Sequence, residues 1–472
     1  MLLAMQQAVG GAEVDANQSG MPVEGGATRE PLGVLACAGP LPVELAEAGA
    51  RQGRPIHIVA IEGFAGDEVA KFPHERVSIG QLGRMLASFR SAGVKEIVIA
   101  GAMQRPNLMG LRIDWGFVRH LPTVLALTRG GDDSVLRRVV RFFEGEGLTV
   151  VGASDIAPGL LAPHGVMTAR QPSAEQSLAI QRGTRLIADL GRFDIGQGVI
   201  ATADEIVAVE GLRGTDAMLR DLGPGEAAEG RGLGGVLVKL AKPGQEMRID
   251  LPTIGPETVR RAAAAGLAGI AVGAGGAIVL EQARVIADAD AAGLFVTGIG
   301  RASPEMPLQD GCSNGQENDE REQAQTPRGL EVVARRAPTP GERRDMAIGR
   351  EVLLVLGAHG AGRAVLVSRE HVLAVAGEGA LAPFLKGHGR TRTWARTALG
   401  RRRGVLVVDV AATGSAGAES LLDLELFSTA KATQLAGIVV LAPLGEGERR
   451  KECIAWANEA GVFLMCRAGE PS

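Results

Sequence analysis

The chain has no tyrosine, only three tryptophans and an aromatic content of 3%, set against 67 glycines in 472 residues. That balance points to tight strand–turn–helix packing. Its four cysteines, Cys37, Cys312, Cys453 and Cys466, are scattered without CxxC spacing. This excludes a disulfide scaffold and a zinc cluster, and it suits a reducing cytoplasm. No apolar run of about 18 residues is free of charge, so no membrane span is expected. Residues 1–30 lack a basic segment followed by an extended apolar one, so no signal peptide is expected either. A net charge of −4 leaves no electrostatic footprint for nucleic acid. The dinucleotide fingerprint is also missing. The first strand ends in Ala36-Cys37-Ala38-Gly39, not GxGxxG, and no acid follows at the ribose-binding distance.

At 46% hydrophobic residues the chain can bury substantial cores, and its length suits about three domains. Residues 1–30 read as a loose tail. From 31 to 165 the pattern is Rossmann-like, with strands at Leu32–Ala36, Ile56–Ile61 and Glu96–Ala100 and helices between them. Ligands of such sheets sit at the carboxyl ends of strands, here Gly39 and the stretch from Gly101 to Pro106 that contains Arg105. Residues 107–165 read as mostly helical, broken at Gly130-Gly131-Asp132-Asp133-Ser134. There Asp132 or Ser134 can cap a helix, and the paired carboxylates can also bind a cation. A second α/β domain is expected over 166–298, and residues 299–331, rich in Pro, Gly, Gln, Asn and acid, read as a linker.

The segment after the linker, 332–468, reads as a degenerate copy of the second domain. GVIATADEIVAVEG from Gly198 matches AVLVSREHVLAVAG from Ala364 at an offset of 166, and Pro172 falls on Pro338 by the same offset. ADAAGLFV from Ala289 matches ANEAGVFL from Ala457, and GVLV at Gly235 recurs at Gly404. Packing positions persist while charges do not. Glu210 becomes Ala376, Lys239 becomes Val408, and GTDAM at Gly214 and KPGQEMRID at Lys242 have no counterpart. A fold that survives without those charges does not need them for packing, so chemistry explains their presence in 166–298.

The charged stretch is GVLVKLAKPGQEMRIDLPTIGPET, from Gly235 to Thr258. An apolar strand is followed by Lys239, Lys242, Gln245, Glu246, Arg248 and Asp250, and then by Pro256 at the start of an alanine-rich helix. Cations hold phosphate oxygens, and a carboxylate holds a metal ion or orients water, so the mixture suits phosphoryl chemistry. The plain alternative is a charged strand edge that resists aggregation.

Residues 32–298 resemble the LpxI-type UDP-2,3-diacylglucosamine pyrophosphatases. The resemblance rests on SIGQLGRML, QRPNL, GGDDSVLR, DIGQGV, AVEGLRGTDAM and VLVKLAKPGQEMRIDLPTIGPETV. It implies a lipid A pathway hydrolase that uses Mg²⁺ or another divalent cation to split a lipid-linked nucleotide sugar at the α-phosphate. The substrate would lie between two domains. The implied protein is cytoplasmic and visits the inner leaflet transiently; whether it forms a homo-oligomer stays open. Carried over, Asp250, Lys239 and Arg248 are the catalytic candidates, and Gly39, Arg105, Thr215, Lys242, Gln245 and Thr253 are candidates for holding substrate. Asp250, Asp216, Asp132 and Asp133 are the metal candidates. The rival reading is a non-catalytic binder of a nucleotide-linked lipid.

Overall fold

The computed structural model describes residues 29–103, 112–121, 132–222, 234–300, 330–377, 381–388, 404–410, 421–445 and 447–468. The expected tail (all but its last two residues), Arg105 and most of the expected linker lie outside them.

The first sheet is wholly parallel, built from β1 (Leu32–Ala36), β2 (Ile56–Ile61), β3 (His74–Val77), β4 (Glu96–Ala100) and β5 (Thr149–Val151), in the order β3-β2-β1-β4-β5. The chain winds outward from β1 in one direction and then in the other, so the topological switch falls between β1 and β4. Apolar clusters cover both faces, one around Leu45, Ile58 and Val98 and the other around Phe89, Ile97 and Phe143. Beyond the switch, Ala38 bridges to Ala102. Gly101 has φ +95°, and a Cβ there would collide with the Ala38 carbonyl, so this close approach requires glycine.

The mostly helical reading of 107–165 needs correction. The helix Asp132–Gly145 stops at a turn in which Gly147 has φ +84°, and β5 follows. The β-branched run Thr149-Val150-Val151 pairs with β4, and Leu148 and Val150 enter the core.

The second sheet has the order β6-β13-β11-β9-β7-β8. Its strands are β6 (Gly165–Val166), β7 (Gly198–Ala201), β8 (Ile206–Val209), β9 (Val236–Lys239), β11 (Gly269–Gly273) and β13 (Phe295–Ile299). A small parallel pair, β10 (Thr253–Ile254) and β12 (Ile278–Val279), sits beside it. The central strands β9, β11 and β13 run parallel, and β6, β7 and β8 pair antiparallel.

The third sheet is built from β14 (Leu330–Val332), β15 (Ala364–Ser368), β16 (His371–Ala376), β17 (Val405–Val408), β18 (Gly437–Val440) and β19 (Phe463–Arg467). Its order, β14-β19-β18-β17-β15-β16, and its strand senses repeat those of the second sheet. Strand β14 begins inside the stretch expected to be linker, because Leu330 pairs with Arg467.

Among the described residues no helix is long and apolar enough to cross a membrane.

Candidate active site

A cleft of about 640 Å³ opens at the carboxyl end of β9, where the second sheet faces the end of β1. Pro40 contributes one wall. Glu210, Thr215, Asp216, Lys239 and Thr253 contribute another, and the start of the helix Pro256–Ala264 lies beside them.

Lys239 is the last residue of β9, a strand with all four positions buried, and is itself only 8% exposed. Its ammonium donates to Thr215 Oγ1 at 2.6 Å and to the Thr253 carbonyl at 3.2 Å. Both partners are neutral, and among the described residues no carboxylate pairs with it. A buried cation held only by neutral acceptors carries a desolvation cost that an anion would offset. The geometry therefore favours a negatively charged ligand such as a phosphate.

Glu210 is the residue that sequence reasoning left out of the site, although its replacement by Ala376 in the third unit was the available signal. Its N–H donates to the Gly198 carbonyl at 2.8 Å, at the mouth of the β7–β8 ladder. Glu210 Oε2 is buried without a hydrogen-bond partner. It occupies the space that a Cβ on Gly198 would take. Asp216 stands on the opposite side of the Gly214 turn, half-exposed, 3.7 Å from Arg261. Among the described residues no three His, Cys, Asp or Glu side chains converge to form a closed metal cage.

The loop 240–252 is held by its own side chains. Gln245 is buried. Its Oε1 accepts the Lys242 N–H at 2.8 Å, and its Nε2 donates to the Asp250 carbonyl at 2.8 Å and to Asp250 Oδ2 at 2.6 Å. Gln245 thus shapes the loop and fixes the Asp250 carboxylate. Lys242 is anchored by an ion pair with Asp194. Arg248 binds Glu246 through two nitrogens at 2.8 and 2.9 Å, and Glu144 of the first unit at 2.8 Å. These pairs push the Arg248 guanidinium up and hold Glu246 below the usual carboxylate range, the hydrogen bond between the two being the largest cause of both shifts. Ile249 and Leu251 pack into the two clusters of the first sheet, so the loop fastens the second unit to the first.

Of the candidates read from sequence, Lys239, Thr215, Thr253 and Asp216 come together at the cleft. Asp250 lies three residues before Thr253 on the fastened loop, and Lys242, Gln245 and Arg248 serve that loop's internal bonding. Gly39 has φ +94° and directly precedes Pro40 of the cleft wall. Asp132 and Asp133 open the helix Asp132–Gly145, with their side chains outside the described set. About 18 Å of helix separates Asp132 from Glu144, where Arg248 attaches.

Comparison with known proteins matches this architecture. The LpxI N-terminal domain profile matches residues 31–160, and the LpxI C-terminal domain profile matches residues 163–297. A UDP-2,3-diacylglucosamine pyrophosphatase LpxI from Caulobacter vibrioides is 40% identical over 271 residues, which cover 57% of this chain and 97% of that one. With both domain profiles matched in order and a relative covered almost end to end, the chain belongs to the LpxI family.

Proposed function

We propose that the chain hydrolyses UDP-2,3-diacylglucosamine at the α-phosphate, giving UMP and 2,3-diacylglucosamine 1-phosphate. The observation that carries this reading is the buried Lys239 ammonium, which among the described residues bonds to the Thr215 hydroxyl and the Thr253 carbonyl, both neutral, at a cleft between two α/β units. Together with the named activity of the Caulobacter relative, it supports a pyrophosphate seat at that point.

In the proposed reaction water forms a new P–O bond at the α-phosphorus. The bond from that phosphorus to the bridging oxygen breaks, and the sugar 1-phosphate leaves with the bonding pair. Lys239 and Thr215 hold phosphate oxygens and offset the charge that builds on them. Asp250, fixed by the Gln245 amide, orients the attacking water and takes its proton.

Glu210 Oε2, buried and unpartnered, and Asp216 across the turn are the two carboxylates suited to hold Mg²⁺. Two carboxylates with substrate phosphate oxygens and water are a common way to bind that ion, so an incomplete protein cage fits it. When bound it would neutralise pyrophosphate oxygens as a Lewis acid.

The test is UMP release from UDP-2,3-diacylglucosamine with Mg²⁺, with EDTA, and with Asp250→Ala. Release that needs the metal and is lost in the variant is expected. A folded wild-type protein that binds the substrate and releases no UMP would be a binder, and the hydrolase reading would fall.

A further inference from the structure

The third unit lies against the second. Helices Ala174–Leu190 and Pro340–Ala358 pack on each other, and the edge strands β8 and β16 approach. One continuous apolar cluster runs through both units, with Ile187, Leu190 and Val209 on one side and Leu353, Leu356 and Val372 on the other. Beside it the Leu212 N–H donates to the Leu373 carbonyl at 3.2 Å, and His359 Nε2 meets Asp189 Oδ2 at 2.7 Å.

The approaches of two edge glycines are reciprocal under one offset. A Cβ on Gly211 would lie 2.9 Å from the Leu373 carbonyl oxygen, and a Cβ on Gly377 would lie 3.4 Å from the Val207 carbonyl oxygen. Gly211 and Gly377 are 166 residues apart, and so are Val207 and Leu373. Each glycine therefore faces the backbone position that corresponds to the one its own counterpart faces. Such exchange defines an isologous contact about a two-fold axis. Two unrelated domains tethered by a linker have no reason to meet in this way.

We propose that residues 330–468 are a divergent second copy of the 163–299 unit and occupy, within one chain, the place of the partner subunit in a two-fold dimer. The occupant of the β8 edge and of the exposed side of helix Ala174–Leu190 is thus the chain's own third unit. An edge strand with unpaired backbone groups invites pairing with another chain, and here the chain covers that edge itself. The proposal stands apart from the reaction, because it concerns association and holds whichever ligand fills the cleft.

The experiment uses the full chain with a protease recognition sequence inserted between Gly300 and Leu330 and cut after folding. Light scattering should give a particle of 48.8 kDa before cutting, and both pieces should still travel together afterwards. Gly211→Val, placed in the cut chain, should weaken the association by about tenfold or more, since its Cβ would crowd the Leu373 carbonyl oxygen at 2.9 Å; Gly377→Val, whose Cβ would stand at an ordinary 3.4 Å from the Val207 carbonyl oxygen, should weaken it less. Pieces that separate without either substitution would overturn the proposal. So would an uncut dimer in which Asp189→Cys of one chain and His359→Cys of another join as a disulfide under an added thiol oxidant, or pieces carrying Gly211→Val that associate as tightly as the unsubstituted ones.

Discussion

The second and third sheets share strand order, strand senses and packing devices, and they differ in what they present at the end of the central strand. Gly183 and Gly349 each let a helix lie close against a strand valine, Val238 in one sheet and Val407 in the other; a Cβ would come to 2.8 and 2.5 Å. Gly269 and Gly437 each make room for a phenylalanine ring, Phe295 and Phe463. The helix starts agree too: Ser173 caps with Gln176 and Thr339 with Glu342, both as reciprocal capping boxes. Against this sameness, Lys239 pairs in register with Gly198, whereas Val408 pairs with Ala364. Glu210 stands beside Gly198 where Ala376 stands beside Ala364. The third sheet is therefore a natural control. It demonstrates that this fold closes with apolar groups at the very positions where the second sheet buries an ammonium and a carboxylate.

The largest way to break the comparison is to give the second sheet the third sheet's residue. Lys239→Val should lower kcat/KM for UMP release by about 10²–10³, the usual loss when one donor to a developing oxyanion is removed. The melting temperature should hold or rise, because an ammonium without a carboxylate partner leaves the interior. A melting temperature lowered along with the rate would mean that the lysine is structural. Next in size is the Gly198–Glu210 pair. Gly198→Ala alone puts a methyl onto Glu210 Oε2, the far end of a flexible side chain that can swing aside. Stability should therefore change by less than about 1 kcal/mol, while UMP release falls because the carboxylate has left its place. Added to Glu210→Ala it recreates the Ala364–Ala376 arrangement and should lower activity no further than Glu210→Ala alone. A double-mutant cycle on kcat/KM reads this coupling, and additive losses would show that the two positions do not share space.

A smaller effect is expected at the fastening loop. Arg248→Lys keeps the charge but loses the two-nitrogen grip on Glu246 and the reach to Glu144. Since Ile249 and Leu251 still anchor the loop apolarly, KM should rise by about three- to tenfold with kcat nearly unchanged, as when uniform binding is weakened. A fall in kcat at constant KM would instead make Arg248 a direct partner of the reacting phosphate.

Much of this was legible from the chain alone. Strands Leu32–Ala36, Ile56–Ile61 and Glu96–Ala100 stand where apolar runs put them. Strand β3 was not legible: it is an edge strand whose sequence, His-Glu-Arg-Val, has only Val77 fully buried. At the site, the charged loop reads from sequence as suited to phosphoryl chemistry, but its residues divide by task in a way that spacing does not encode. Gln245 folds inward to close the loop, Arg248 bridges to Glu144, which is 104 residues away, and only Lys239 reaches the cleft from β9. Glu210 was hidden for a related reason. Its significance depends on the empty space over Gly198, and ladder register, not sequence distance, sets that relation.

The smallest prediction reverses the comparison, since here the third unit carries the buried charge. Asp345 on helix Pro340–Ala358 corresponds to Ala179 at the offset of 166, and both are buried. Its two oxygens accept the N–H groups of Arg369 and Glu370 at 3.1 and 2.7 Å. Burial pushes its carboxyl up to about 7, with Glu370 and Glu342 raising it further, while the Glu370 N–H bond and Arg344 oppose the rise. The folded state therefore holds this proton more tightly than the unfolded chain does, near 3.8. The stability linked to it is full below about pH 4, falls as pH climbs to about 7, and is flat beyond. Asp345→Asn removes the titration but offers one oxygen where two N–H groups need acceptors, so the two effects partly offset. The net gain at pH 8 should be on the order of 1 kcal/mol. Denaturant unfolding at pH 4 to 8 reads the slope directly. The variant should lose less stability than the wild type across that range, and parallel curves would show that the falling slope comes from another group.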